Sequence, residues 1–141
     1  MTADAPGIIR DETGTQRTLG YVLDVGQGDG RGRCRLVVDE RHTNRHGVLH
    51  GGLVTVMLDT AMGATGSLSM DETGTYPMLT ISLTVNFVSS ARLGQSLEAE
   101  GRLTGGGRKV KFIAGELRDD EGTLVATATG VFRTLPDHRR S

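Results

Sequence analysis

The longest apolar stretch of the chain runs over residues 53–68 and contains no proline. Drawn as a helix, it carries apolar side chains nearly all round its axis: Leu53, Val54, Val56, Met57, Leu58, Ala61, Met62 and Ala64. A helix that is apolar on every side is buried on every side. We therefore predict one long central helix that a sheet or a second subunit covers. Asp59 lies in its middle, where a buried carboxylate is usually paired, neutralised or functional.

Around this helix, apolar and polar residues alternate with the period of two that is typical of β-strands. The alternation marks segments near residues 21–25, 34–38, 77–87, 97–103, 108–118 and 123–133. Glycine-rich or acidic turns separate the last three segments, which are therefore predicted to form an antiparallel meander. In the clearest strand, the apolar residues from Leu79 to Phe87 are expected to share one face, packed on the helix. Hydroxyls and amides would occupy the other face.

The order of elements is two strands, the helix and four further strands. One helix on an antiparallel sheet is an α+β arrangement, and a sheet of five or six strands can wrap around a single helix. Residues 19–135 are predicted to form this one domain. Residues 1–18 are predicted to be a flexible N-terminal segment that frays or forms a short surface helix, and residues 136–141 a disordered tail.

Charge and cysteine content narrow the possible partners and location. The formal net charge is −1, which gives no strong field toward nucleic acid or a membrane surface, and neither partner is expected. No run approaches the ~18 apolar residues of a membrane-spanning helix. The N-terminus also lacks the basic and apolar regions of a secretory signal. Cys34, the single cysteine, cannot form an intrachain disulfide, which fits the cytoplasmic location that we expect.

The sequence His50-Gly51-Gly52 stands where the central helix should begin. The first amides of a helix have no intrahelical partner and lie at the positive end of its dipole. They can hold a carbonyl oxygen that gains negative charge, which together with an acid indicates acyl transfer or hydrolysis. Gly51 and Asp59 are about 12 Å apart along a helix. We therefore expect Asp59 of one subunit to meet Gly51 of another, in an active site at a dimer interface.

His42, His46 and His50 recur at intervals of four residues, a spacing that can hold a metal on a helix. Gly47 interrupts a regular helix here, and the His-Glu-x-x-His pattern is absent. No metal site is therefore predicted, and His42 and His46 are expected in an exposed loop. The spaced glycines of residues 26–32 are interpreted as a hairpin rather than a phosphate loop, because a strand follows them.

These residues together resemble the hot-dog-fold acyl-CoA thioesterases, particularly the phenylacetate-degradation (PaaI) type. The resemblance covers about residues 20–134. It rests on Asn44, Gly47, His50-Gly51-Gly52, Leu58-Asp59, Ala61, residues 79–87, Leu93-Gly94, and Gly107-Arg108 before Phe112. It implies the hot-dog fold, hydrolysis of an acyl-CoA thioester to free acid and CoA, and a homodimer or a dimer of dimers (a homotetramer) with shared sites. CoA is part of the substrate, so no separate cofactor is implied.

The resemblance also implies roles for individual residues. Asp59 matches the family's acid, which acts as general base on water or as nucleophile, and the Gly51 amide matches the donor to the thioester carbonyl. His50 and Asn44 match residues that orient the thioester or the water, and Thr80 matches a position that orients the water or the carboxylate. Candidates for contacts with CoA are Ser82, Ser89, Arg92, Gly107, Arg108 and Lys109.

Two other functions remain open. An acyl-CoA hydratase or dehydratase of this fold usually needs a differently spaced Asp/His pair, which the chain does not show. A non-catalytic acyl-CoA-binding protein would bind its ligand without turnover. The acyl group is also open, because the depth of the pocket depends on the opposing subunit and on packing around four large side chains: Met57, Met62, Met78 and Phe87.

Overall fold

The computed structural model describes residues 4–136, and this part of the chain forms two α-helices, one 3-10 turn and seven strands. In chain order they are β1 (Ile8–Ile9), α1 (Gly14–Leu19), β2 (Val22–Asp24), β3 (Arg33–Val37), the 3-10 turn (Glu40–His42), α2 (Gly51–Leu68), β4 (Met78–Phe87), β5 (Ser96–Gly106), β6 (Val110–Asp119) and β7 (Leu124–Thr134). The predicted central helix and the six predicted strands are all present. Within residues 4–136, no helix has both the length and the apolar character needed to cross a membrane.

The seven strands form one antiparallel sheet in the order β1-β2-β3-β5-β6-β7-β4. Helix α2 packs across one face of this sheet, and the core lies between them. Its fully buried side chains include Met57, Leu58, Met62, Ile113 and Phe132. The predicted α+β hot-dog arrangement is confirmed. The sheet has one strand more than predicted because the two-residue β1 pairs with β2 at one edge.

Small residues let the backbone of α2 lie directly on the sheet. Gly101 on β5 pairs with Gly115 on β6, and Gly32 leads into β3 beside them. A Cβ atom built on Gly101 would lie 2.9 Å from the carbonyl oxygen of Ala61, and one built on Gly32 would lie 2.8 Å from the same oxygen. The Thr65 hydroxyl donates to that oxygen at 2.8 Å and accepts the Gly32 N–H at 3.0 Å. This close approach fixes the position of α2.

The N-terminal segment is more regular than predicted. Strand β1 extends the sheet, and the predicted short helix is α1, whose N-cap Thr13 accepts the Gln16 N–H at 3.1 Å. The buried side chain of Gln16 donates to the carbonyl oxygens of Ile9, at 2.7 Å, and Tyr21, at 3.1 Å. These bonds join the segment to the domain. The predicted tail, residues 136–141, lies outside the described residues except for its first.

The composition of helix α2 predicts burial on every side, but one side of the helix is not buried. Its sheet-facing side is buried, but Gly52 is exposed, and Asp59, Thr60 and Gly63 are only partly buried. These positions lie along one side of the helix, since residues four apart share a face. In a single chain, Asp59 is therefore a half-buried carboxylate rather than a fully buried one.

His42 also differs from the prediction of an exposed loop residue. It is fully buried, with Nδ1 accepting the Asp39 N–H at 2.9 Å and Nε2 lying 2.8 Å from the carbonyl oxygen of Leu19. Because Nδ1 accepts, Nε2 is the donor. His42 thus connects the 3-10 turn to α1, whereas His46 is exposed as expected.

Strand β4 contains a β-bulge at Ile81. Thr80 and Ser82 pair with adjacent residues of β7, which leaves Ile81 without a partner there. A bulge adds one residue and so reverses the alternation of faces. Leu83 packs against the core beyond the bulge, and Thr80 faces α2 before it, whereas Leu79 is 48% exposed. The single apolar face predicted for this strand is therefore wrong at its N-terminal end.

Candidate active site

Two of the predicted catalytic residues are in direct contact. The hydroxyl of Thr80 on β4 donates a hydrogen bond of 2.6 Å to Oδ1 of Asp59 on α2. The contact depends on the bulge at Ile81, because strict alternation would turn Thr80 to the outer face of the sheet. The bond orients the carboxylate. No group in the described part of the chain bonds to Asp59 Oδ2, so that oxygen can accept from a water or a substrate.

A cavity of about 270 Å³ opens beside this pair. Helix α2 contributes Asp59, Thr60, Gly63, Ala64 and Ser67 to its wall. The rest of the wall comes from β2, the loop before β4, β4 itself and β7, and includes Leu23, Gly74, Thr75, Tyr76, Met78, Thr80 and Phe132. An acid at the edge of a pocket whose wall mixes apolar, aromatic and hydroxyl side chains is compatible with hydrolysis of an acyl group, and we name this cavity the acyl pocket.

Within a single chain, three of the four large residues predicted to shape this pocket lie elsewhere. Met57 and Met62 are fully buried in the core, and Phe87 is exposed at the far end of β4. Only Met78 lines the acyl pocket. Apolar character alone did not distinguish core positions of α2 from pocket positions.

The N-terminus of α2 has the free donor that the predicted oxyanion role requires. His50 is the N-cap, and its Nδ1 accepts the Gly52 N–H at 2.8 Å. A neutral His50 therefore carries its proton on Nε2. The Gly51 N–H donates to no group within residues 4–136, and it lies at the positive end of the α2 dipole.

Asn44 shapes the loop before α2. Its Oδ1 accepts the His46 N–H at 2.9 Å, and its backbone N–H donates to the carbonyl oxygen of Val48 at 2.8 Å. The loop is joined to the segment after β4, because the Leu49 N–H donates to Ala91 O at 2.9 Å. The side-chain amide of Asn44 donates to no described residue, so its predicted role in orienting a ligand stays a prediction.

The candidate residues form two groups at opposite ends of β4. One group, the acid end, is Asp59 with Thr80. The other, the donor end, is His50 with Gly51, and it lies beside Phe87, the last residue of β4. A Cβ atom built on Gly51 would be 3.3 Å from the ring of Phe87. A single chain therefore does not bring Gly51 to Asp59.

The predicted CoA contacts divide between these two ends. At the donor end, Arg92 forms an isolated bridge with Val48 in the loop before α2. Ser89 lies on the same connection, and its hydroxyl donates to the carbonyl oxygen of Leu124 at 2.7 Å. Both Ser89 and Arg92 are exposed.

At the acid end lies the β5–β6 turn, residues 107–109, with two exposed basic side chains. Lys109 O accepts the Thr134 N–H at 2.9 Å, and Thr134 pairs with Met78, the first residue of β4. Ser82 faces away from α2, on the outer side of the sheet, and so lies apart from both ends.

The remaining reactive side chains do not form a second site. Burial of Cys34 on β3 raises the pKa of its thiol to about 12, so it is not a thiolate nucleophile near neutral pH. Among the described residues, no three His, Cys, Asp or Glu side chains come together in a way that could hold a metal ion.

Sequence reasoning missed most of the acyl pocket. Leu23, Tyr76 and Phe132 come from three separated segments, and no local pattern shows that they converge. Gly63 did carry a local signal, since glycine inside a helix is unfavourable and needs a reason.

Comparison with known proteins identifies the family of this chain. The sequence model of the thioesterase superfamily matches residues 46–126. The Pseudomonas aeruginosa protein PA0474 is 36% identical over 97 residues, which are 69% of this chain and 70% of that protein. Human acyl-coenzyme A thioesterase 13 is 30% identical over 112 residues, which are 79% of this chain and 78% of the human protein.

Two solved structures share the fold. The smu.793 protein of Streptococcus mutans, bound to acetyl CoA, aligns with a TM-score of 0.67 at 23% identity, over 77% of this chain and 83% of that one. The E. coli PaaI protein, from the phenylacetic acid degradation operon, aligns with a TM-score of 0.74 at 18% identity, over 89% of this chain and 86% of that one. The predicted resemblance is thus confirmed, and the chain belongs to the thioesterase superfamily, as a thioester hydrolase of the hot-dog fold.

Proposed function

We propose that this thioester hydrolase acts on acyl-CoA through Asp59 and Thr80 of one subunit and the Gly51 amide of a second. The Thr80–Asp59 hydrogen bond of 2.6 Å, at the edge of the acyl pocket, carries the proposal. The acyl-CoA substrate is supported by the name of the human relative and by the acetyl CoA bound to the S. mutans protein.

Hydrolysis of a thioester needs an activated water and a donor to the carbonyl oxygen. As general base, Asp59 takes a proton through Oδ2 while the water oxygen attacks the carbonyl carbon, and the Gly51 N–H stabilises the oxyanion. The tetrahedral intermediate then expels the CoA thiolate, which takes up the proton, and the free acid remains. As nucleophile, Asp59 attacks the carbonyl itself and expels the CoA thiolate, which takes a proton from water; a second water then hydrolyses the anhydride to the acid and regenerates Asp59. Neither route uses a metal or a separate cofactor.

The edge of β4 supports a homodimer. This strand ends the sheet and has no strand on its outer side among the described residues. Its exposed apolar residues are Leu79 (48%), Ile81 (54%) and Phe87 (60%), followed by Val88 (57%). A long apolar edge strand pairs readily with another strand, and a second copy of β4 supplies one through a two-fold axis.

Antiparallel pairing of β4 with the partner's β4 would complete the site. A two-fold axis near the middle of β4 sets the N-terminal half of one strand, with Thr80, beside the C-terminal half of the other, with Phe87, because paired strands run in opposite directions. Gly51 lies beside Phe87. The donor end of each subunit then meets the acid end of its partner. This gives two equivalent sites, each with Ser89 and Arg92 from one chain and the β5–β6 turn from the other near the CoA.

The homodimer is the smallest unit with a complete site, and we propose a dimer of dimers as its larger form. The outer face of the sheet offers a second contact surface, with ion pairs that join Arg33 and Arg35 to Glu98 and Glu100. The mass of the particle in solution separates dimer from tetramer. The cytoplasmic location stays a prediction, which subcellular fractionation tests.

The acid is tested by measuring thiol release from a panel of acyl-CoAs with wild type and Asp59→Asn. Asparagine keeps the size of the side chain but cannot take a proton or attack, so kcat should fall by about 100-fold or more. Binding of CoA should stay within about twofold, since asparagine keeps the size of the side chain and CoA lacks the acyl group that the acid acts on. A chelator should leave the wild-type rate unchanged.

Glu72→Gln is the matched control, because Glu72 is an exposed acid outside the site. Full activity of the Asp59→Asn protein would contradict the assignment of the acid. A change in acyl-chain unsaturation without thiol release would instead indicate a hydratase, and tight binding with neither product would indicate a binding protein.

A further inference from the structure

The amide that the proposed function uses as oxyanion donor lies between two amides whose hydrogen bonds are fixed. The His50 N–H donates to the carbonyl oxygen of His42 at 2.8 Å, and the Gly52 N–H donates to Nδ1 of His50 at 2.8 Å. The carbonyl oxygen of His50 belongs to the same peptide unit as the Gly51 N–H, and it accepts the Leu53 N–H at 2.9 Å. Because a peptide unit is planar, these bonds set the direction of the Gly51 N–H.

Of these three bonds, the one to His42 comes from outside α2 and its cap. It closes the loop that leads into the helix, so a displacement of the His42 backbone passes directly to His50. On the other side of this loop, the Leu49 N–H donates to the carbonyl oxygen of Ala91 at 2.9 Å. The start of α2 therefore has two backbone supports, and the one from His42 adjoins the donor.

The side chain of His42 holds its own backbone in place. The ring is fully buried, and both of its nitrogens are used. Nδ1 accepts the Asp39 N–H at 2.9 Å, and Nε2 lies 2.8 Å from the carbonyl oxygen of Leu19, the last residue of α1. The two bonds leave a rigid ring in different directions, so they fix its position and its tilt. A series of hydrogen bonds thus runs from the end of α1 through His42 to His50.

Helix α1 has a second attachment that does not involve His42. The buried side chain of Gln16 donates to the carbonyl oxygens of Ile9 and Tyr21, and neither of these residues bonds to the loop before α2. Attachment of α1 to the domain therefore does not depend on His42 alone. What His42 adds is the connection between α1 and the start of α2.

We infer that His42 is a positioning residue, which directs the Gly51 N–H at the thioester carbonyl through its bonds to Leu19 and His50. The inference rests on the proposed function. His42 touches no reacting atom and acts through the backbone of His50. A donor to the oxyanion contributes most in the transition state, and a misplacement of about 1 Å can lower a rate about 100-fold. A change at His42 should therefore alter kcat rather than KM.

The test measures thiol release by wild type, His42→Leu and His42→Gln with the acyl-CoA that wild type hydrolyses fastest. Leucine fills similar space but has neither ring nitrogen, so kcat should fall about tenfold or more while KM stays within about twofold. Glutamine can place its amide nitrogen near the position of Nε2 and donate to the Leu19 carbonyl oxygen. It should keep kcat within about threefold of wild type.

Gln16→Leu is the matched control, because it also removes buried hydrogen bonds between α1 and the domain. Both leucine variants should lower the melting temperature by about 5 °C or more, and the mass of the particle in solution should stay that of wild type. Only His42→Leu should lower kcat. If His42→Leu does not fold, His42→Asn takes its place, since asparagine can accept the Asp39 N–H but is too short to reach Leu19.

Hydrogen exchange measures the connection without any substrate. The His50 N–H should be protected in wild type, and its exchange should become about tenfold faster or more in His42→Leu. The amide of Leu58, in the middle of α2, is the internal reference and should not change.

Equal losses of kcat in His42→Leu and Gln16→Leu would overturn the inference, because the effect would then come from a general loosening of the N-terminal segment. A raised KM with unchanged kcat would also overturn it. If wild type releases no thiol from any acyl-CoA, the proposed function fails, and the exchange of the His50 N–H decides about His42. Faster exchange in His42→Leu would keep its positioning role at the start of α2, and unchanged exchange would remove it.

Discussion

The contact between Thr80 and Asp59 is the smallest unit of the site that a single substitution can test. Thr80→Val has the same shape but no hydroxyl, so Asp59 loses its 2.6 Å hydrogen bond. A hydrogen bond to a charged group contributes about 1.5–3 kcal/mol, and we therefore expect kcat to fall about tenfold or more with little change in KM. Thiol-release kinetics measure both constants.

Thr80→Ser is the matched control for this variant, because it keeps the hydroxyl and removes only the methyl group. It should retain activity within about threefold. Equal activities of the valine and serine variants would show that the hydroxyl does not orient the carboxylate.

At the residue scale, the helix pattern led to Asp59 and Gly51, the resemblance added Thr80, and Thr80 touches Asp59. The burial of Asp59 was overestimated, because the composition of a helix shows how apolar its sides are but not which side the sheet covers. The predicted position of His50 at the start of the helix is correct. Its hydrogen bond with the Gly52 N–H was not predictable, because residue spacing does not show which way a side chain turns.

At the scale of elements, the close approach of α2 to the sheet predicts a sharp effect of one methyl group. In Gly101→Ala the new Cβ would lie 2.9 Å from Ala61 O and 3.0 Å from Met62 Cα, which are both backbone atoms of α2. The helix must shift, so the free energy of unfolding should fall by about 1–3 kcal/mol. Denaturant unfolding measures the change.

Gly105→Ala serves as the control on the same strand, since its Cβ would meet only the ring of Phe112 at 3.5 Å. It should change the free energy of unfolding by less than about 0.5 kcal/mol. Similar losses for both variants would mean that strand propensity, rather than contact with α2, requires glycine at Gly101.

Most elements were predictable because the periodicity that defines them is local. The six strands and α2 each follow from their own residues. Strand β1 was missed because a two-residue strand has no period to detect, and its pairing with β2 is a tertiary contact. The bulge at Ile81 was missed because the apolar residues of the strand alternate without interruption in the sequence.

At the scale of the whole molecule, the shared site predicts that two inactive variants restore each other. Gly51→Pro removes the N–H donor at the first position of α2, where proline suits a helix, and the extended backbone of His50 suits the residue before a proline. When the Gly51→Pro and Asp59→Asn proteins exchange subunits, half of the dimers should be mixed, and each mixed dimer should have one intact site and one inactive site. The mixture should therefore reach about a quarter of wild-type activity.

Gly51→Ala is the control, because alanine keeps the N–H donor but adds a side chain beside the Phe87 ring. It should stay active, which would show that the proline variant fails for lack of the donor and not because of crowding. Each variant alone should be inactive, and the mixture is followed by thiol release as the subunits exchange. An inactive mixture in which mixed dimers are detected would place the complete site within one chain.

The bulge at Ile81 has a consequence for how the chain reaches an active form. The pairing of β4 with β7 beyond the bulge is fixed by Leu83 and Val85 on the core, whereas of the three residue pairs before it only Met78 packs on the core, so a slip of one position there would leave most of the core in place. A slipped molecule would be folded, of normal mass and able to dimerise, yet it would turn an aliphatic side chain toward Asp59 in place of the Thr80 hydroxyl. Folding and catalytic competence would be separable in such molecules, and a structurally sound preparation would then hold only a fraction of correctly registered sites.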